Sequence, residues 1–177
     1  NTVFGKEEVE APKDVISGKA LPENYQTETH IQQWAAIEKN PIILASYLWN
    51  SFEFAVPAWN RGGVNARNLK GLITFDRKRK KDSFYWYKAN WNPEPMIYLA
   101  NRRDSIRTHK NSKIQLFSNL PKVQLIVNGR EYQAKQGVNS KHWVVDNVEL
   151  KQGENKIQAK GNSGSEVLTD EMTWTLQ

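Results

Sequence analysis

The chain has 177 residues, which is enough for one domain of ordinary size or for one domain and part of another. It contains no cysteine, which excludes disulfides and thiolate metal sites, and no apolar run long enough for a membrane-spanning helix. Its formal charge of +6 is unevenly placed, with thirteen Lys or Arg against four Asp or Glu between Arg61 and Lys110.

The first regular element in the chain is an amphipathic helix. Residues 1–21 carry Gly, Pro and scattered charge without a sustained period, which predicts a loop. Pro22 suits the first turn of a helix, and the helical pattern stops at Asn40-Pro41 because a residue before proline disfavours helical backbone. The apolar stripe comprises Tyr25, Ile31, Trp34, Ala35 and Ile37. We therefore expect a helix of four to five turns.

The run Ile42–Trp49 is apolar on both faces, a pattern typical of a strand buried on both sides in a parallel sheet. A helix followed by such a strand indicates α/β architecture. Such a strand needs neighbours on both edges, and residues 1–92 offer no second strand. We therefore expect residues 1–92 to be the tail of a larger α/β protein, with apolar surface that self-associates when left uncovered.

A loop of 25 residues, from Ser51 to Phe75, follows the strand, and loops of this length are more often functional than idle. Asp82 or Ser83 can then cap a helix over residues 84–91. The aromatic residues of this helix lie on several of its faces. That distribution predicts burial between two layers.

The basic run Arg77–Lys81 raises the question of nucleic-acid binding, with Tyr85, Trp86 and Trp91 as stacking platforms for bases. No zinc-finger spacing, RNA-binding aromatic motif or Gly-rich phosphate loop accompanies the run. We therefore expect a solvated turn that leads into the helix, and no nucleic-acid partner.

After residues 92–95 the apolar period changes to two, which predicts seven short strands and a domain boundary. Asn128-Gly129 is a strong two-residue hairpin signal, because both turn positions need positive φ. The strands are predicted over residues 96–100, 113–118, 123–127, 131–134, 143–145, 155–159 and 172–176. Their number and spacing predict an immunoglobulin-like sandwich. The expected domains are 1–92 and 93–177.

Three groups of residues, in order along the chain, resemble glycoside hydrolase family 2, especially its β-galactosidase-like members. Ala20–Thr27 resembles the approach to the seventh barrel helix, and Trp49-Asn50-Ser51-Phe52-Glu53-Phe54 is similar to the family's Trp-Asn-x-Phe-Asp-Phe after the eighth strand. Residues 68–77, Asn-Leu-Lys-Gly-Leu-Ile-Thr-Phe-Asp-Arg, with residues 80–85, resemble the segment before the last barrel helix. The resemblance covers nearly the whole chain and implies the end of a (β/α)8 barrel followed by an accessory sandwich.

The resemblance implies that this chain supplies the lip of a sugar site without its catalytic pair. Retaining glycosidases use two carboxyl groups about 5 Å apart. Asn1–Gly5 resembles the sequence just downstream of the family's nucleophile, so both catalytic glutamates are expected upstream of residue 1. Glu7 and Glu8 match neither catalytic motif. The chain alone is therefore expected to be inactive.

Five residues are the expected substrate-binding positions: Trp49, Asn50, Glu53, Asn68 and Lys70. Trp49 offers a flat apolar face to a pyranose, and Asn50 can fix hydroxyls. Glu53 can orient a loop or bind substrate, although the family pattern has Asp there. Asn68 and Lys70 resemble the sugar-carboxylate clamp of β-glucuronidases, but a similar pair occurs in galactosidase-like members. A β-galactoside is the expected substrate and a β-glucuronide the alternative.

His30, His109 and His142 form no metal pattern, and no nucleophile elbow is present, so we expect neither a metal nor a cofactor. The expected partners are a β-linked carbohydrate and the remainder of a parent glycosidase chain. A periplasmic or extracytoplasmic location is implied by the resemblance alone. A second hypothesis is that the sandwich is a carbohydrate-binding module, with Trp143, Tyr132 or Trp174 exposed to stack on sugar.

Overall fold

The computed structural model describes residues 21–177, which form two compact units that divide between Tyr85 and Trp86. The expectations for residues 1–20, including the loop, Glu7, Glu8 and the segment Asn1–Gly5, lie outside the described residues. The domain assignment 1–92 and 93–177 stays a prediction. None of the described helices has the length and apolar character needed to cross a membrane.

Helix α1, Glu23–Glu38, confirms the predicted helix, with Pro22 as the residue just before its first turn, but not the predicted amphipathic pattern. Its buried side is less apolar than the predicted stripe. Ile31 and Ala35 are buried, whereas Tyr25, Trp34 and Ile37 are only partly covered. The rest of the buried side is polar and consists of Glu23, Gln26, Thr27 and His30. The helix therefore packs against a polar interior.

The predicted buried strand over Ile42–Trp49 is wrong for this chain. The segment is irregular, and Leu44 is 97% exposed and Tyr47 94% exposed. The physical reason is that a central strand is held by hydrogen bonds to neighbours on both edges, and the described part of the chain supplies none along this segment. The apolar run is present as the sequence predicts, but residues 21–177 leave most of it uncovered.

Residues 50–81 fold into a compact arrangement of short backbone pairings. Strands β1, Phe54–Ala55, and β2, Arg67–Asn68, pair antiparallel. Isolated bridges join Phe52 to Ile73 and Ile73 to Lys80. The predicted long loop is therefore held by main-chain hydrogen bonds at both of its ends.

Helix α2, Asp82–Trp91, starts two residues before the predicted helix, and the cap by Asp82 or Ser83 stays a prediction. The backbone N–H of Asp82 donates to Glu23 Oε1, 2.9 Å away. A carboxylate at a helix N-terminus satisfies a free N–H and favours the helix dipole. The predicted burial holds for Trp86 and Tyr87, whereas Trp91 is 49% exposed.

The second unit is a β-sandwich, as predicted, and its strands begin with β3, Ile97–Leu99. The remaining strands are β4 Ile106–Arg107, β5 Asn111–Ser118, β6 Val123–Val127, β7 Arg130–Gln133, β8 Lys135–Gln136, β9 His142–Glu149, β10 Gly153–Ser163 and β11 Glu166–Leu176. One sheet has the order β4-β11-β10-β6-β7 and the other β3-β5-β9-β8. All seven predicted strands are present, and the two-residue strands β4 and β8 were not predicted.

The sandwich core lies between the two sheets. Leu116, Leu125, Ile157 and Trp174 belong to it, and none of these side chains is more than 1% exposed. Each large apolar side chain buried in this way contributes about 1.5 to 3 kcal/mol. The hairpin between β6 and β7 turns at Asn128 and Gly129, with φ of 52° and 84°, as its sequence predicts.

Candidate functional site

The predicted site residues lie in or beside the segment that follows the exposed apolar run. Trp49 is 66% exposed and meets the edge of Phe54, with ring centroids 6.0 Å apart. Asn50 is half-buried and its side-chain amide donates to the carbonyl of Phe52. The peptide bond between Trp49 and Asn50 is cis. An indole face is thus accessible beside a fixed amide group.

Glu53, by contrast, is fully buried. Its carboxylate Oε1 lies 2.6 Å from Lys81 Nζ, and its Oε2 accepts the backbone N–H of Phe75 at 3.0 Å. A charge without exposed surface is held in place only when it is paired and hydrogen-bonded, as both conditions are here. Glu53 therefore has no surface to offer a ligand.

Lys81 extends this ion pair into a buried polar network. Its ammonium also donates to Leu69 O at 2.8 Å and to Gln26 Oε1 at 3.2 Å. The Gln26 amide then donates to Lys70 O at 2.8 Å, so helix α1 holds the backbone of one predicted site residue. Sequence reasoning missed Gln26 and Lys81, because Lys81 closes a run of five basic residues that resembles a solvated turn.

Gly71 permits the close approach of the two backbone segments in this region. A Cβ atom at Gly71 would lie 2.1 Å from Glu53 N and 2.3 Å from Phe52 C. Such distances are far inside van der Waals contact, so any other residue would push the segments apart. The glycine thereby keeps the strand-like segment before Glu53 against the segment after Lys70.

Asn68 and Lys70 form a local turn. The Asn68 side-chain oxygen accepts the backbone N–H of Lys70 at 2.9 Å, and Asn68 is 5% exposed. The Lys70 side chain is exposed, with its ammonium 6.0 Å from the Trp59 ring centroid. Arg61 lies 5.9 Å from the same centroid. Two cations therefore flank one half-buried indole, and Lys70 has no carboxylate partner within residues 21–177.

The histidines do not gather into a site. Burial lowers the pKa of His30 to about 4, with the Lys81 charge as the second cause, and burial likewise lowers the pKa of His142 to about 4. His142 is held by Gln115 Oε1, 2.9 Å from its Nε2, whereas His109 is exposed. Residues 21–177 contain no group of three or more His, Cys, Asp or Glu able to hold a metal ion.

Two of the three aromatic residues named for a sugar-binding sandwich are buried. Trp143 is 7% exposed and Trp174 is 1% exposed, and the Trp174 ring is covered by the Arg107 guanidinium at 3.6 Å. Alternation along β9 and β11 turns both side chains into the core, where no sugar can reach their faces. Tyr132 is partly buried and packs at the edge of the same core. The expectation of an exposed Trp143 or Trp174 is therefore wrong.

Comparison with known proteins identifies the homologues as glycosidases. No family profile matches the sequence. A β-glucuronidase from Bacteroides fragilis is 40% identical over 158 residues, which are 89% of this chain and 23% of that protein. The chain thus spans about a quarter or less of the length of the curated relatives it matches.

Two solved structures show the same relationship. A proposed β-galactosidase from Bacteroides fragilis has a TM-score of 0.86 and 48% identity, over 88% of this chain and 23% of that one. An FMN-binding β-glucuronidase from Faecalibacterium prausnitzii L2-6 has a TM-score of 0.81 and 35% identity, over 90% of this chain and 24% of that one.

Proposed function

We propose that this chain is one section of a retaining glycosidase of glycoside hydrolase family 2. The observation that carries the proposal is the exposed apolar segment Ile42–Trp49, which leads directly into the predicted site residues Trp49 and Asn50. A monomeric protein rarely leaves such a segment in water, whereas a barrel strand is covered on both sides. Neighbouring strands from another part of a longer polypeptide would cover it.

In that arrangement the described residues bind and position the sugar, and the catalytic pair comes from elsewhere in the polypeptide. Trp49 offers its indole face to the C–H surface of a pyranose, and Asn50 follows it directly in the chain. Glu53 organises the loop through Lys81 and the Phe75 N–H instead of touching substrate. Retaining hydrolysis then needs an acid/base and a nucleophile about 5 Å apart.

The exposed ammonium of Lys70 favours a sugar that carries a carboxylate. Lys70 is exposed, lies near the same Trp59 indole as Arg61, and has no acidic partner among the described residues. A lysine beside an amide can bind a carboxylate through a charge-assisted hydrogen bond. A β-glucuronide is therefore the leading substrate. The names of the curated relatives point the same way.

A β-galactoside is the second candidate. The structure with 48% identity belongs to a proposed β-galactosidase, and Trp49 and Asn50 would serve a neutral pyranose equally well. The two candidates differ in one predicted consequence, which is whether the Lys70 ammonium contributes to catalysis.

The proposal is tested by obtaining the native polypeptide with an antibody to the sandwich and measuring its intact mass and upstream sequence. We expect a much larger chain with the nucleophile glutamate just before residue 1, active on a nitrophenyl β-glycoside. The 177-residue chain alone should show no turnover, because positioning groups without an acid and a nucleophile provide no mechanism. A native chain near 20.5 kDa, or turnover by the short chain, would overturn the proposal.

The substrate is tested in the longer polypeptide by Lys70→Ala, with Lys151→Ala on the sandwich as a matched loss of one exposed lysine. Losing a charge-assisted hydrogen bond should lower kcat/KM for nitrophenyl β-glucuronide about 10- to 100-fold. Lys151→Ala should leave this value unchanged. An equal loss on the β-galactoside, or no loss on the glucuronide, would remove the case for a carboxylate-binding Lys70.

A further inference from the structure

A row of alternating arginine and phenylalanine side chains lies on the 50–81 segment. The Arg67 guanidinium lies 4.4 Å from the Phe75 ring centroid, and the Arg77 guanidinium lies 4.4 Å from the Phe52 ring centroid. Arg77 Nη1 also donates to Phe75 O at 3.1 Å, which joins the two pairs. Both rings remain partly exposed, Phe52 by 43% and Phe75 by 40%. We call these four residues the cationic ridge.

The ridge lies in a segment with a large excess of positive charge. Between Ser51 and Lys81 there are eight Lys or Arg against two Asp or Glu. Both acidic side chains are already engaged, since Glu53 is buried against Lys81 and Asp76 accepts hydrogen bonds from the Thr74 hydroxyl and the Lys78 N–H. The positive charge of the ridge is therefore not neutralised by the acidic residues of this segment.

Arg67 is the member of the ridge best placed to receive an anion. Its guanidinium contacts the Phe75 ring, and it makes no hydrogen bond to a carboxylate in the described part of the chain. A guanidinium that lies flat on a ring keeps its N–H edge free and loses little rotamer entropy on binding an oxyanion. Arg77 is different, because it donates to backbone carbonyls of Glu53 and Phe75 and holds the loop together.

We infer that the cationic ridge binds the acidic groups of a polysaccharide, with Arg67 as the principal anion ligand. This inference rests on the proposed glycosidase function and adds that the glycan continues beyond the sugar at the site as an acidic polymer. Carboxylate and sulfate groups each present two neighbouring oxygens that can accept two N–H groups of one guanidinium. Arg67 directly precedes Asn68 in β2, so the ridge and the predicted sugar-binding turn are adjacent in the backbone.

Nucleic acid is the less suitable polyanion for this surface. Binding of single strands relies on open aromatic faces for the bases, and here guanidinium groups lie over Phe52 and Phe75. Trp86, which the sequence offered as a stacking platform, is 0% exposed. At the four residues of the ridge, phosphate contacts would remain without stacking of bases.

The test is binding of the full 177-residue chain to four immobilised polymers: polygalacturonate, dextran sulfate, neutral dextran and single-stranded DNA. We expect binding to one or both acidic polysaccharides, weakened as NaCl rises from about 50 mM to about 300 mM, and none to neutral dextran. Binding to only one of the two acidic polymers identifies the recognised group as carboxylate or sulfate. Tighter binding to DNA than to either acidic polysaccharide would overturn the inference.

Three variants locate the binding site. Arg67→Gln should weaken binding about 3- to 10-fold, and Phe75→Leu about 2- to 3-fold, because leucine removes the flat support of the guanidinium. Lys151→Gln removes one exposed charge from the sandwich and should change binding less than either. Equal weakening by Arg67→Gln and Lys151→Gln would mean general charge attraction and would overturn the inference. Circular dichroism of each variant distinguishes lost binding from lost folding.

This binding assay is independent of turnover. If a longer native polypeptide hydrolyses a nitrophenyl glycoside but the ridge binds no acidic polymer, the proposed glycosidase function is supported and the binding inference is overturned. If the native chain has a mass of 20.5 kDa and the ridge binds an acidic polymer, the glycosidase proposal is overturned and binding by the ridge is supported.

Discussion

The two units of this protein bury their residues in opposite ways. The sandwich, from Trp86 onward, closes an apolar core with its own two sheets, and the residues of that core are at most 8% exposed. The first unit buries a polar network around Lys81 and leaves Leu44 and Tyr47 almost fully exposed. The first unit thus buries an ion pair and leaves much of its apolar run in contact with solvent. The sandwich should therefore be stable by itself, and the first unit should depend on further strands.

The largest expected effect on stability comes from Trp174→Ala, which removes a large side chain from the sandwich core. Trp174 is 1% exposed, its ring is covered by Arg107, and its indole N–H donates to Asn101 O at 3.3 Å. Removal should lower the free energy of unfolding of the sandwich by about 3 to 5 kcal/mol, measured from hydrogen exchange of the β10 and β11 amides.

Val167→Ala is the control for this change, because Val167 also lies on β11 and is 61% exposed. It should change the same free energy by less than about 0.5 kcal/mol. Similar costs for the two substitutions would mean that the sandwich core does not carry the stability of the second unit.

The second effect concerns the first unit. Glu53→Gln leaves the Lys81 ammonium buried without its counter-charge, and should destabilise the first unit by about 3 to 4 kcal/mol. The measurement is hydrogen exchange of α1 amides, whose Gln26 side chain is bonded to Lys81. The double variant Glu53→Gln/Lys81→Met should recover part of the loss, because neither charge is then buried alone. A double variant less stable than the single one would contradict this.

The sandwich could be predicted from sequence because its signals are local. Asn128-Gly129 sets the β6–β7 turn through positive φ, and alternation assigns Leu125 and Val127 to the core. The short strands β4 and β8 have two residues each, which is too few to show a period. These strands form because they pair with strands that are distant in sequence, and a local pattern does not predict such pairing.

The first unit was predicted only where its signals are local. Helix α1 follows from Pro22 and Pro41, but the interior of the unit does not. Lys81 contacts residues 12, 28 and 55 positions away, and a buried lysine in a basic run has no pattern of its own. The apolar run at residues 42–49 predicts a strand, yet a strand forms only beside a partner. The substrate-binding role of the five predicted site residues likewise depends on distant residues, so that role stays a hypothesis.

The third effect is pH dependence, and each unit has one histidine that reports it. Burial holds the pKa of His30 and of His142 near 4 in the folded chain, against about 6.5 unfolded. The unfolded chain takes up protons first as pH falls from about 6.5 to about 4, so stability is full above this window and falls within it.

Each buried histidine should account for about 2 to 3 kcal/mol of that loss. His30→Gln should flatten the pH dependence of the first unit, and His142→Gln that of the sandwich, in urea unfolding at about pH 7 and about pH 4.5 followed by unit-specific amides. His109→Gln removes an exposed histidine and serves as the control. An unchanged pH dependence in both variants would assign the acid loss to other groups.

The substitution Leu44→Ser should have the smallest effect on stability. It also tests most directly whether the first unit, unlike the sandwich, depends on further strands. In the 177-residue chain Leu44 is 97% exposed, so the substitution should change the free energy of unfolding by less than about 0.5 kcal/mol. It should also reduce self-association in sedimentation equilibrium, because it removes apolar surface. Leu125→Ser, at a sandwich core position that is 0% exposed, should unfold the second unit.

In a longer polypeptide in which residues 42–49 form a covered strand, Leu44→Ser should cost about 2 to 4 kcal/mol, since a hydroxyl replaces a buried leucine. An equally small cost in both contexts would mean that the segment is exposed by design, and the first unit would then be complete without added strands.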